Sequence, residues 1–143
     1  MTPSAEPSRR DIVPEHWADF FRGAAIPAAV VVGDELRLTG HTGESERGEL
    51  SLDPPTQLRQ TFVNIGATLD AAGFAWGDVI ELTSYHVGLS GQRAVLLDIA
   101  GEFLPKPFPA WTAVGVTELF VDEAVVEISC VARRPGRRAA AAE

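Results

Sequence analysis

The chain is short of several things, and each shortage excludes a class of protein. It has one cysteine, Cys130. That rules out an intramolecular disulfide and any zinc site built from several thiolates. It has one lysine, Lys106, lodged between Pro105 and Pro107, which is a poor setting for a Schiff-base nucleophile. Its three histidines, His16, His41 and His86, are scattered without metal-ligand spacing, so no metal site is expected. No apolar run nears the ~18–20 residues that span a bilayer, so no membrane partner is expected. The longest, Ile26 to Val32, is strand-sized and contains Pro27. Met1 to Asp11 is polar and lacks the pattern of a secretory leader, which makes a cytoplasmic location the default.

Positive charge is scarce too. Twelve bases face 20 acids, for a formal net charge of −8. Half of those bases lie at the ends, as Arg9, Arg10, Arg133, Arg134, Arg137 and Arg138. The middle is therefore more acidic still. A nucleic-acid partner needs a cationic footprint, and none is present. With 143 residues, 45% hydrophobic and 22% charged, the chain fits one globular domain. Residues 1–13 read as a flexible N-terminal tail, 14–133 as the domain, and 134–143 as a disordered, low-complexity C-terminal tail.

Periodicity orders the domain. Pro14 to Arg22 carries Trp17, Phe20 and Phe21 at helix-like spacing, enough for one or two turns packed on the body. Ala28–Val32 and Leu36–Thr39 are strand-like runs joined by Gly33-Asp34, a hairpin signal. A Gly- and Pro-rich loop over 40–55 follows. From about Thr56 to Ala72, Leu58, Phe62, Ile65, Leu69 and Ala72 form one apolar helical stripe, closed by Gly73. Val79–Val87 reads as a strand and Gln92–Leu104 as a second helix, stopped by Pro105. Ala110–Val116 and Ala124–Ala132 are the closing strands.

The order β-β-α-β-α-β-β gives an α+β fold, a mixed sheet with two helices on one face. The last strand describes the other face. Val126, Ile128, Cys130 and Ala132 are uniformly apolar and should meet the helices. Val125, Glu127, Ser129 and Val131 are mixed, which suits burial against another subunit. Cys130 then reads as a buried small hydrophobe, and His86 as a packed or interface histidine.

One family has these residues in this order. The motifs are Leu38-Thr39-Gly40-His41, Gln57 through Ile65, Leu69-Asp70-Ala71-Ala72-Gly73, Asp78-Val79-Ile80, Pro109-Ala110-Trp111-Thr112-Ala113-Val114 and Val126-Glu127-Ile128. Together they resemble the reactive intermediate deaminase family, RidA/YjgF, also called endoribonuclease L-PSP, over roughly Ala28 to Arg133. The resemblance implies a chorismate-mutase-like fold and a homotrimer around a central barrel. It also implies small-molecule ligands in the three inter-subunit clefts, and hydrolysis of reactive enamines or imines with no metal or organic cofactor.

Residue by residue the carry-over is partial. Glu127 matches the glutamate that positions or activates water in the family, and Thr39-Gly40 is retained. His41 replaces a common glutamine. Trp111 stands where the family has the arginine that anchors a substrate carboxylate, and indole offers one N–H and no charge. Ala113 stands at the position of a small thiol, Ile26 near a common tyrosine, and Leu96 at an asparagine. The resemblance thus implies Glu127 as the catalytic group, with Thr39, Gly40, His41, Trp111 and Ala113 binding substrate and Trp111 as a cavity wall. The implied activity is an enamine or imine deaminase with altered substrate preference. A non-catalytic small-molecule-binding homotrimer is the alternative, and an endoribonuclease ranks last because the surface is acidic.

Overall fold

The computed structural model describes residues 8–134. The strands are β1 (Arg9–Ile12), β2 (Ala29–Val32), β3 (Glu35–Leu38), β4 (Val79–His86), β5 (Ala110–Gly115) and β6 (Val126–Arg133). The helices are α1 (Ala18–Ala24), α2 (Pro54–Ala72) and α3 (Leu89–Ala100), with single 3₁₀ turns at Glu15–Trp17 and Trp76–Asp78. The strands form one sheet in the order β1-β2-β3-β6-β4-β5. All neighbours are antiparallel except β4 and β5.

This topology decides where the helices go. β3 and β4 both run antiparallel to β6, so they are parallel to each other, and β4 is parallel to β5. The β3-α2-β4 and β4-α3-β5 crossovers step across the sheet in the same direction. Right-handed connections then place α2 and α3 on one face. The expected α+β architecture is what forms.

The predicted stripe of α2 is buried: Leu58, Phe62 and Ile65 are inaccessible to solvent and Leu69 nearly so. Each such side chain contributes about 1.5–3 kcal/mol relative to exposure. The helix starts two residues before the expected Thr56, because Pro54 and Pro55 occupy its first positions, where a missing N–H costs nothing. The Asp53 side chain caps it by accepting from the Thr56 N–H, and Gly73 closes it at φ 82°. Along β6, Val126, Ile128, Cys130 and Ala132 are buried under the helices, while Glu127, Ser129 and Val131 are half-buried on the opposite face.

The N-terminal tail is shorter than expected. Arg9–Ile12 pairs with β2 as an edge strand. Only Ile12 is buried, so the strand rests on backbone pairing rather than apolar alternation. Residues 1–7 of that tail, and 135–143 of the C-terminal one, lie outside the described residues. Among the described residues no helix is long and apolar enough to cross a membrane.

Candidate active site

Glu127 lies on the bare face of the sheet, opposite Tyr85 of β4. On its other side the carboxylate reaches over Gly40, just past β3. A Cβ at residue 40 would stand 2.4 Å from Glu127 Oε2, so glycine is what lets the carboxylate lie over the backbone there. Glu127 and Gly40 line two adjoining hollows, of about 440 Å³ and about 400 Å³. Both volumes fall in the size range of small-molecule sites. The larger is roofed by the segment carrying His16, Trp17 and Phe20, and walled by Glu44 and Phe120. Burial raises the Glu127 carboxyl above its ordinary value, and the charge of Glu44 pushes it the same way. A carboxyl so placed can hold or release a proton at moderate pH.

Thr39 lines this cavity, its hydroxyl donating to the Pro27 carbonyl at 2.7 Å. His41 lines it too, but from beneath. The pairing of β3 with β6 runs through Arg37↔Val131 and resumes at His41↔Ile128. One extra residue has entered the β3 side. Without that bulge His41 would share the face of Glu127; with it, the ring turns under the sheet. There Nδ1–H donates to the Thr39 carbonyl at 2.7 Å, and Nε2 accepts from the Thr68 hydroxyl at 2.8 Å. Burial lowers the ring to about 4, against the pull of the Thr39 carbonyl and with a small push from His16. His41 is neutral with both nitrogens engaged, so its substrate-orienting role does not follow from this geometry. It serves as a floor on which Trp17 stacks, 4.6 Å between ring centroids and 23° between planes.

Trp111 and Ala113 are elsewhere. They pair with Leu82 and Ser84, both buried on the helix side of β4. Within one chain Trp111 therefore faces away from Glu127 and does not wall this cavity. Its indole N–H donates to Ser84 Oγ at 2.9 Å, and its ring meets Phe108 edge-on at 5.7 Å. Ala113 is exposed, because β5 is the sheet edge and the helices do not reach it. Leu96 is buried in the core, whereas Ile26 lines the cavity.

His86 and Cys130 sit as read from the sequence. His86 is fully buried, with Nδ1 2.7 Å from Gln92 Oε1 and Nε2 2.8 Å from Ser84 Oγ, and burial lowers its pKa. Burial pushes the Cys130 thiol up to about 12, which removes it as a nucleophile. Among the described residues no group of three or more His, Cys, Asp or Glu is placed to hold a metal ion.

Several cavity residues went unread in the sequence. Trp17 and Phe20 were visible as a helical aromatic pattern, but nothing local said what they would cover. Glu44 and Phe120 come from loops that meet only through the sheet.

The family profile described as Endoribonuclease L-PSP matches residues 24–134, most of the chain and every strand but the first. The chain belongs to the RidA/YjgF family. Among its relatives, the RutC family protein YjgH of Escherichia coli (strain K12) is 39% identical over 109 residues, covering 76% of this chain and 82% of that protein. A solved structure of protein YjgH superposes with a TM-score of 0.79 at 34% identity, over 92% of this chain and 98% of that one. A 2-iminobutanoate/2-iminopropanoate deaminase of Dermatophagoides farinae is 32% identical over 93 residues, 64% of this chain and 72% of that protein. This RidA/YjgF member thus has the family fold, with the Glu127 carboxylate lying over Gly40.

Proposed function

We propose that the protein is a hydrolase that deaminates a small enamine or imine, with Glu127 as the acid–base group and no cofactor. The observation that carries this reading is the half-buried Glu127 carboxylate, seated over Gly40 with its pKa raised, at the wall of a 440 Å³ cavity. The Glu127 carboxylate takes a proton from water as the water oxygen bonds to the carbon of the protonated imine, giving a carbinolamine. The same carboxyl passes that proton to the nitrogen. The C–N bond then breaks as the hydroxyl gives its proton back to the carboxylate, so that a ketone or aldehyde leaves with ammonia and the carboxyl releases the proton to solvent.

A homotrimer completes the arrangement. Trp111 and Glu127 lie on opposite faces of one sheet, so only contact between subunits brings them to one cleft. The half-buried outer face of β6 and the exposed Ala113 and Val114 of β5 suit such a contact. Lacking arginine at residue 111, the site is expected to handle carboxylate-bearing imines poorly. A binding protein without turnover is the second reading, and the commitment of the Trp111 N–H to Ser84 favours it to that extent. Four carboxylates along the cavity argue against RNA.

The test is ammonia release from imines generated in place, 2-iminobutanoate beside imines without a carboxylate. Turnover of the second kind, reduced roughly a hundredfold in Glu127→Gln, is the expected result. Equal activity in that variant removes Glu127 from the mechanism. No turnover across the panel supports the binding protein.

A further inference from the structure

We infer that the cavity beside Glu127 selects an organic cation, an ammonium or iminium group on a small apolar or aromatic body with no carboxylate. This rests on the hydrolase reading of the same cavity and names its substrate class. The first observation is charge placement. Glu127, Glu44, Glu46 and Asp19 line the cavity against one guanidinium, Arg47. Asp19 is already satisfied by Arg22, which leaves three carboxylates lining the hollow with a single counter-charge.

The second observation is the aromatic wall. Trp17 forms an aromatic wall, and the residue it stacks on is held neutral. A protonated imidazole in that place would repel a cation on the indole. A neutral one leaves the ring's negative face available to it. Phe20 packs edge-on to Trp17 at 5.1 Å, and Phe120, 85% exposed, forms an apolar rim across from them. The Trp17 N–H is fixed by the Ile26 carbonyl at 2.8 Å, so the wall is preset rather than assembled by the ligand.

The third observation concerns what is not offered to an anion. Among the described residues Arg47 is the one guanidinium on the cavity wall, and it sits on an exposed turn.

The experiment compares phenethylammonium with phenylacetate, probes of like size and opposite charge, by calorimetric titration of the full-length protein. Phenethylammonium is expected to bind about tenfold or more tightly than phenylacetate, with Glu44→Gln and Trp17→Leu each weakening it about fivefold or more. Circular dichroism and thermal unfolding check that both variants fold, and Glu46→Gln provides a second charge deletion should either fail. The inference is overturned if phenylacetate binds as well, if neither probe binds, or if Arg47→Gln governs affinity while the carboxylate variants do not. Binding is read without turnover. Ammonium binding with no ammonia release therefore overturns the hydrolase alone, and turnover of 2-iminobutanoate with no preference for the cation overturns this inference alone.

Discussion

The indole N–H of Trp111 donates to Ser84 Oγ at 2.9 Å, and that one bond fixes the direction of every proton behind it. Indole only donates, so Ser84 Oγ accepts from it and gives its own proton to His86 Nε2, 2.8 Å away. His86 Nδ1–H then donates to Gln92 Oε1 at 2.7 Å. The amide of Gln92 is oriented in turn by donating to the carbonyls of Val87 and Val125, both at 3.0 Å. Trp111 is thus the first member of a structural relay that runs into the core.

That relay predicts non-additive stability. Ser84→Ala orphans both the Trp111 N–H and His86 Nε2, at an expected cost of about 2–4 kcal/mol. In a Trp111→Phe background only His86 is orphaned, so the same change should cost about 1 kcal/mol less or better. Urea unfolding of the four proteins in the cycle measures this. An equal cost in both backgrounds would show that the two side chains act independently.

Two glycines three residues apart should fail differently when given a methyl group. At Gly40 the new Cβ would meet Glu127 Oε2 at 2.4 Å, a flexible end that can swing aside. Gly40→Ala is therefore expected to keep most of its stability while ammonia release falls about tenfold or more, since the acid–base group proposed for the reaction, Glu127, is displaced. At Gly43 the Cβ would stand 2.3 Å from the backbone oxygen of Gln57, in the first turns of α2, which cannot move. Gly43→Ala is expected to lose about 1–3 kcal/mol. Thermal unfolding and the ammonia assay, run on both variants, separate the two outcomes.

What the sequence disclosed follows from what is local. The α2 stripe and the alternation of β6 each depend on one element's own period, and both are met residue by residue. β1 escaped because Arg9-Arg10-Asp11 carries no apolar alternation; its signal is a backbone partner elsewhere in the chain. The facing of Trp111 depends on which residue of β4 it pairs with, and that of His41 on a single-residue bulge against β6. Neither is written in the neighbouring residues. The motif around Glu127 was legible through the family resemblance. The cavity over it was not, because its walls come from the N-terminal segment, the loop after β3 and the loop before β6, which meet only when the sheet is built.

His41 predicts how stability responds to acid. Its pKa is about 4 in the folded protein, against an ordinary 6.5 when the chain is unfolded. As pH falls below 6.5 the unfolded state takes up the proton first. The contribution is thus fully present above the unfolded value and is lost as pH drops through the folded one, roughly 3 kcal/mol in all. Burial lowers His16 and His86 as well, and both act in the same direction. Glu127 works the other way. Its raised value makes its contribution largest below 4.5 and lost as pH rises, so it offsets part of the fall. The net expectation is a urea midpoint that declines steadily from about pH 7 to about pH 4.5. In His41→Asn the amide retains a donor for the Thr39 carbonyl but has nothing to titrate. That variant should be less stable at neutral pH and show a shallower decline with acid. A slope as steep as that of the unaltered protein would mean that His41 is already protonated in the fold, and that Trp17 stacks on a cation.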